Sequence, residues 1–217
     1  MSGSDVLGLM GGAFDPVHKG HIELARKLAA AAEISEVRFV IAARPPHRGA
    51  LMAGASLRRR MLEAAIADIP GYAVEDCELE PSGPRYTVDT LSLLRRRYPS
   101  RPLCWMMGFD SFAGLPQWRD WRTLFDLAHF VVGARIGYTD GLSAALEREI
   151  AARSAAHARE LRTIRSGRIL MCAQPVAAIS ASRVRKAVRA GRLESDLIPA
   201  PVARIIRESG AYAEGSP

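Results

Sequence analysis

The 217-residue sequence contains no apolar run of about 18 residues, so we expect no helix that spans a membrane. Its first residues also lack the basic stretch and apolar stretch of a signal peptide, from which we expect a cytoplasmic protein. Only three cysteines occur, far apart and in apolar surroundings: Cys77, Cys104 and Cys172. We interpret them as small buried thiols in a reducing compartment, because a disulfide framework needs more cysteines, more closely spaced.

Two common nucleotide-binding patterns are missing as well. The sequence has neither the Gly-x-Gly-x-x-Gly fingerprint of dinucleotide-binding proteins nor the Walker A pattern of P-loop proteins. What is present is the composition of an ordinary globular protein, with 48% hydrophobic and 24% charged residues. The length suits one α/β domain over residues 1–217.

The formal net charge of +7 raises the possibility of nucleic-acid binding. However, the arginine runs at 58–60 and 95–97 lie on predicted helices, and we interpret them as solvated faces. The sequence shows neither a basic tail nor a platform of interleaved aromatics. We therefore expect no nucleic-acid partner, and the positive charge also suits an enzyme whose substrates bear phosphates.

The most informative stretch is MGGAFDPVHKGH at residues 10–21. An apolar strand at 6–9 precedes it and an Ala- and Leu-rich helix at 22–32 follows it, which predicts a strand-to-helix turn. Gly11 and Gly12 allow a tight turn and let a ligand approach the backbone. We expect the helix to begin near Val17 and to offer free N–H groups that favour phosphate.

Within this turn, His18 and His21 are three residues apart and would project from one face of a helix. Two imidazoles at such a helix start indicate charge stabilisation at a phosphorus centre. A zinc site is the alternative, but no cysteine or acidic cluster supplies clear third and fourth ligands.

Residues 11–21 resemble the signature of the nucleotidyltransferases with an HxGH motif, and most of all that of bacterial nicotinate-nucleotide adenylyltransferases. Ala13 departs from the pattern, which commonly has Thr there. The resemblance implies a Rossmann-like α/β fold with a parallel sheet, helices on both faces and a helical C-terminal part at about 180–212. It implies adenylyl transfer from ATP to nicotinate mononucleotide, with release of pyrophosphate. Mg²⁺ would accompany ATP, held by phosphates and water without protein side chains.

Six strands are predicted from β-branched and apolar runs, and each ends at a loop or turn. After the strand at 6–9, they span residues 36–42, 72–77, 103–107, 128–134 and 169–173. We expect Ser56 and Thr87 to cap the helices that they precede, and an amphipathic helix to run from 142 to 161.

The resemblance assigns the ATP site to four segments. The backbone of Gly11, Gly12, Ala13 and Phe14 would bind ATP, with His18 and His21 at its α- and β-phosphates. Asp110 follows a strand and would accept the ribose hydroxyls, although an Asp there can also cap the next turn. Residues 179–185, ISASRVR, resemble the family's second phosphate motif with Ala181 in place of Ser. They place Ser182 and Arg185 on the leaving pyrophosphate and Ser180 in contact with ATP.

The resemblance assigns the nicotinate mononucleotide site to loops after other strands. The Pro-Pro-His-Arg segment would place His47 and Arg48 on an anionic group of a substrate, and Arg135 would contact a phosphate. Tyr86 and Thr87 begin a segment that in this family meets the nicotinate end. Trp118 would stack on the pyridine ring, and backbone N–H groups near Thr87 and Arg119 would receive its carboxylate.

Three alternatives remain at this point. Phosphopantetheine adenylyltransferase shares the mechanism, but it is usually shorter and typically has Thr where this chain has His18. A basic nucleic-acid-binding protein would release no pyrophosphate, and a nucleotide-binding regulator would bind ATP without turnover. The oligomeric state does not follow from the sequence.

Overall fold

The computed structural model describes residues 6–43, 51–80, 82–83, 86–134, 141–173, 179–193 and 196–213. The strands are β1 (Leu7–Gly12), β2 (Glu36–Ile41), β3 (Tyr72–Glu75), β4 (Leu103–Gly108), β5 (His129–Ala134) and β6 (Ile169–Ala173). The α-helices are α1 (Lys19–Ala31), α2 (Ala55–Ile66), α3 (Thr87–Arg97), α4 (Phe109–Ala113), α5 (Leu124–Leu127), α6 (Ala144–Arg153), α7 (Ala181–Arg189) and α8 (Ala200–Ser209). Short 3₁₀ turns span Leu115–Gln117, Trp121–Thr123 and Ala158–Arg162.

The six strands form one sheet in the order β3-β2-β1-β4-β5-β6, and every pair is parallel. This is the doubly wound order of Rossmann-like folds, so the predicted fold class is confirmed. The chain direction across the sheet reverses between β1 and β4, where Leu9 pairs with Trp105. Ligands of such folds bind at the carboxyl ends of the strands beside this reversal, which is where β1 leads into the turn at 13–18.

The sheet separates two hydrophobic clusters, because side chains along a strand alternate between its faces. On β1, Leu9 belongs to one cluster and Met10 to the other. The Met10 side contains Phe14 and residues of α1, α2, α7 and α8. The Leu9 side contains Trp105 and residues of α3, α4 and α5. Strands covered on both faces account for the nearly continuous apolar runs that predicted them.

Helix boundaries differ from the prediction at several points. Helix α1 begins at Lys19, with His18 as its N-cap, and α2 follows Gly54, so Ser56 lies inside it. Thr87 is the first helical residue of α3, after the cap Tyr86. The helix predicted over 142–161 ends at Arg153, because Ser154 forms a parallel bridge with Ile169 of β6. The Ala155 N–H donates to the Ile169 carbonyl at 2.8 Å, so pairing with the edge strand prevails over helix propensity.

The arginine runs were predicted to be solvated, and for the first arginine of each run this is wrong. Arg58 is 1% exposed and Arg95 is half-buried, whereas the two arginines that follow each of them are exposed. Arg58 lies three and four residues before the buried Met61 and Leu62, and therefore on the inner face of α2. Buried arginine needs hydrogen-bond acceptors, and the Arg95 guanidinium donates to carbonyls including those of Leu127 and Arg165.

The three cysteines are buried and free, as predicted. Among the described residues, no helix is both long and apolar enough to cross a bilayer.

Candidate active site

The two histidines of the first motif meet ring to ring at the start of α1. His18 has an extended backbone as the N-cap, and its ring stacks on that of His21 at 3.6 Å between centroids, with planes 22° apart. The His18 N–H donates to His21 Nδ1 at 3.2 Å. The two rings therefore converge, as the spacing predicted. However, His18 is the helix cap and only His21 is a helical residue.

This arrangement fixes the tautomer of one imidazole. Because His21 Nδ1 accepts a hydrogen bond, neutral His21 has its proton on Nε2 and can donate from there. His18 is 5% exposed, and burial lowers its pKa to about 4. The His18 ring is therefore neutral at pH 7. Positive charge at the phosphates in place of His18 has to come from other groups.

The two glycines of the turn are required by neighbouring rings. A Cβ at Gly11 would overlap the indole of Trp105, and one at Gly12 would lie 2.9 Å from the Phe14 ring. The sequence predicts that both glycines allow a tight turn and the close approach of a ligand. The structure adds a second reason, since the protein's own aromatic rings occupy the space of the missing side chains.

Phe14 was predicted to contribute to ATP binding, and its side chain is 2% exposed. Its ring packs edge-on against that of His21, with centroids 5.1 Å apart. Only the backbone of Phe14 can therefore contact a ligand, and its ring supports His21 from the core. Phe14 has a φ of 48°, a left-handed value that is uncommon for a residue with a side chain.

The second phosphate motif contacts the first directly. Ser180 is the N-cap of α7 and accepts a hydrogen bond from the Arg183 N–H at 3.2 Å. Arg185 donates to the Ser182 hydroxyl at 3.2 Å and to the backbone carbonyl of Asp15 at 2.8 Å. A guanidinium, a hydroxyl and a helix N-terminus thus lie beside the His18–His21 turn, which is the composition of a site for a polyanion.

Asp110 is the second residue of α4, two positions after the end of β4, the strand that neighbours β1. Its side chain is exposed. The N-cap of α4 is Gly108, without a side-chain cap bond, so Asp110 does not serve as the cap that was the alternative explanation. Its place at the carboxyl edge beside the strand-order reversal suits a ribose contact.

The residues predicted for the nicotinate end lie on the Leu9 side of the sheet. The Arg119 guanidinium lies over the Tyr86 ring, 4.9 Å from its centroid, and both line a cavity of about 460 Å³. Thr87 opens α3, where first-turn N–H groups lack intrahelical acceptors. Trp118 is half-buried against the adjoining core cluster, which also fits a packing role. His47, Arg48 and Arg135 lie outside the described residues.

Sequence reasoning missed a buried polar group beneath the first motif. Asp15, Arg58 and Tyr212 are 5%, 1% and 1% exposed. The position of Arg58 on the apolar face of α2 was the available signal. Nothing local to Tyr212 pointed to it.

Within the described part of the chain, no group of three or more His, Cys, Asp or Glu side chains is placed to hold a metal ion. The zinc alternative for His18 and His21 therefore gains no support from these residues.

The fold and the paired phosphate motifs define a nucleotidyltransferase-like protein. Residues 9–187 match the family model described as cytidylyltransferase-like. Over 206 residues the chain is 41% identical to a protein of Halorhodospira halophila, covering 95% of this chain and 94% of that one. Over 210 residues it is 37% identical to a protein of Methylococcus capsulatus, covering 96% of this chain and 100% of that one. Both proteins are named probable nicotinate-nucleotide adenylyltransferase. The chain belongs to the nicotinate-nucleotide adenylyltransferase family.

Solved structures agree with the fold. A Plasmodium falciparum nicotinic acid mononucleotide adenylyltransferase, complexed with NaAD, superposes with a TM-score of 0.73 at 17% identity. The match covers 96% of this chain and 97% of that one. The same Plasmodium enzyme complexed with APC superposes with a TM-score of 0.71 at 16% identity.

Proposed function

We propose that this protein transfers the adenylyl group of ATP to nicotinate mononucleotide, forming nicotinate adenine dinucleotide and pyrophosphate in NAD biosynthesis. Membership of the family supports the proposal. The observation that supports the chemistry best is the contact between the two phosphate motifs, in which Arg185 donates to the Asp15 carbonyl three residues before His18. Charged and neutral donors from both ends of the chain are therefore gathered at one turn.

The reaction forms a bond between a phosphate oxygen of nicotinate mononucleotide and the α-phosphorus of ATP. The bond from the α-phosphorus to the bridging oxygen breaks, and its electrons leave with pyrophosphate. Because the attacking oxygen is already anionic, the protein needs no base and no covalent intermediate. Rate enhancement would come from alignment and from donors aimed at the phosphate oxygens.

We assign the roles as follows. His21 donates from Nε2 to the phosphates at the reacting centre, and His18 donates beside it. Arg185 and Ser182 bind the leaving pyrophosphate, with Ser180 and the α7 N-terminus nearby. Asp110 accepts the ribose hydroxyls, and backbone groups of Gly11, Gly12, Ala13 and Phe14 contact ATP.

For the second substrate, Tyr86, Thr87, Trp118 and Arg119 would hold the nicotinate ring and its carboxylate. His47, Arg48 and Arg135 would contact anionic groups. A cationic Arg119 beside the ring site favours nicotinate over its uncharged amide, which supports the acid as the substrate.

Mg²⁺ would arrive bound to ATP, with phosphate oxygens and water as its ligands, as its preference for retained hydration allows. We also propose a cytoplasmic location, in keeping with three free buried thiols.

The first test measures pyrophosphate release with ATP and Mg²⁺ as a function of acceptor. Nicotinate mononucleotide, nicotinamide mononucleotide and phosphopantetheine are offered in parallel at equal concentrations. We expect a rate with nicotinate mononucleotide at least about tenfold above that with the amide, the effect of about 1.4 kcal/mol in differential binding. Preference for phosphopantetheine would overturn the assignment at Tyr86 and Trp118. Absence of release with every acceptor would contradict the proposed reaction.

A further inference from the structure

The turn that presents the two histidines rests on a buried polar cluster of Asp15, Arg58 and Tyr212. The three residues come from distant parts of the chain: the turn after β1, helix α2 and the segment after α8. All three are almost completely buried. We call them the buried cluster.

Asp15 connects the turn to two other segments. Its Oδ1 accepts hydrogen bonds from the Tyr212 hydroxyl at 2.7 Å and from the Ala53 N–H at 3.1 Å. Its Oδ2 accepts from the Met52 N–H at 2.9 Å. The carboxylate therefore fixes the turn to the segment before α2 and to the C-terminal segment.

Arg58 connects the turn to the segment before α2 and to the residues after β2 through backbone carbonyls. Its Nη1 donates to the carbonyls of Ala13 and Ala42 at 2.7 Å each. Its Nε donates to Ala53 at 3.1 Å, and its Nη2 to Ala43 at 3.3 Å. Burial lowers the pKa of Arg58 and the charge of Asp15 opposes that shift, so the guanidinium remains charged.

The contacts of the buried cluster are concentrated on the catalytic turn. Arg58 holds the Ala13 carbonyl and Tyr212 holds the Asp15 side chain, so bonds fall on both sides of Phe14. The Phe14 ring supports the His21 ring. Any displacement of this backbone would therefore move His21 relative to the phosphates. Replacing buried charges with well-packed apolar residues is often neutral or stabilising, so stability alone does not account for this cluster.

We propose that Asp15, Arg58 and Tyr212 are positioning residues, which hold the turn so that His18 and His21 face the reacting phosphates. The C-terminal segment thereby becomes part of the active-site architecture although Tyr212 touches no substrate. The inference rests on the proposed function, since it concerns the same site.

The test compares Tyr212→Phe, which removes only the hydroxyl, with Arg58→Lys, which keeps the charge but loses the guanidinium fork. Tyr72→Phe on the edge strand β3 is the matched control. We expect kcat per folded molecule to fall about tenfold in Tyr212→Phe and about 100-fold in Arg58→Lys, because small displacements of catalytic groups are costly. KM for both substrates should stay within about threefold, and Tyr72→Phe should match the wild type.

A second readout is independent of turnover. Amide hydrogen exchange of residues 13–18 should accelerate in both variants and not in Tyr72→Phe. If kcat per folded molecule is unchanged while only thermal stability falls, the cluster is merely structural and the proposal is overturned. If the wild type releases no pyrophosphate, the proposed function fails by itself. In that case amide hydrogen exchange still tests whether the buried cluster holds the turn. Unchanged exchange of residues 13–18 in both variants would overturn the positioning role as well.

Discussion

At the scale of single residues, the two stacked histidines at the start of α1 differ in burial and in hydrogen bonding. His18 gives its backbone N–H to His21 and is itself buried, whereas His21 keeps an Nε2–H that can reach a ligand. His18 Nδ1 is buried without a hydrogen-bond partner among the described residues. The Cβ of any larger residue at position 20 would lie 3.1 Å from this atom, so Gly20 leaves it space. A polar atom left in this state costs stability, as is common at functional sites.

We expect His21→Ala to lower kcat by about 10² to 10³, the effect of removing one electrostatic donor. The measurement is pyrophosphate release with ATP and nicotinate mononucleotide at saturating concentrations. The exposed His157, at the cap of the 3₁₀ turn Ala158–Arg162, provides a matched control. His157→Ala should keep wild-type turnover. A folded His21→Ala enzyme within a few-fold of the wild type would remove His21 from the mechanism.

At the scale of elements, helix α7 is placed by its side chains over a turn far away in the sequence. Arg185 reaches the Asp15 carbonyl across a separation of 170 residues. One helical turn further on, Arg189 contacts only the edge of this region, with its Nη2 3.4 Å from Met52 Sδ. The two arginines lie on the same helix with different surroundings, which allows a direct comparison.

We expect Arg185→Lys to lower kcat/KM for ATP by about 10- to 100-fold, since charged hydrogen bonds contribute about 1.5–3 kcal/mol. Lysine keeps the charge but cannot contact Ser182 and the pyrophosphate as a fork. Arg189→Lys should change kcat/KM less than about twofold. Steady-state kinetics at varied ATP concentration measures both. Equal losses in the two variants would indicate a general charge effect of α7 and not a role of Arg185.

At the scale of the whole molecule, two buried histidines connect stability to pH. Burial lowers the pKa of His18 to about 4. Burial also lowers the pKa of His129 to about 4, and its ring is held neutral between the Ile164 carbonyl at 2.9 Å and the Arg168 N–H at 3.0 Å. Below the ordinary pKa of about 6.5 the unfolded chain takes up protons at both positions. The folded protein does so only near pH 4.

The free energy of unfolding should therefore fall as pH decreases from about 6.5, by up to about 1.4 kcal/mol per pH unit for each histidine. Urea unfolding between about pH 5.5 and 7.5 measures this slope. Burial raises the pKa of Glu78 to about 7, so this carboxyl contributes a slope of the opposite sign in the same range. His18→Asn should lower the slope by up to about 1.4 kcal/mol per pH unit, because one of the two histidine protons is then lost. His157→Asn, at an exposed position, should leave it as in the wild type. Equal slopes in the wild type and in His18→Asn would contradict the neutral burial of His18.

Local pattern was enough to predict the six strands and the turn at residues 10–21, whereas the caps predicted at Ser56 and Thr87 are wrong. Apolar runs, glycines and helix-start residues express preferences that depend on near neighbours in the chain. The histidine pair could be found for the same reason, because its spacing of three residues is local. The positions of His47, Arg48 and Arg135 stay predictions.

The tertiary structure alone decided how those pieces meet. It placed Arg58 in the interior, ended α6 at the edge strand, and packed Trp105 where a side chain at Gly11 would stand. It also joined Tyr212 to Asp15, which are 197 residues apart. Such contacts depend on the path of the whole chain, and neither residue type nor spacing specifies which distant groups will satisfy a buried charge. The sequence by itself determined the chemistry of the turn, and the fold determined what holds it in place.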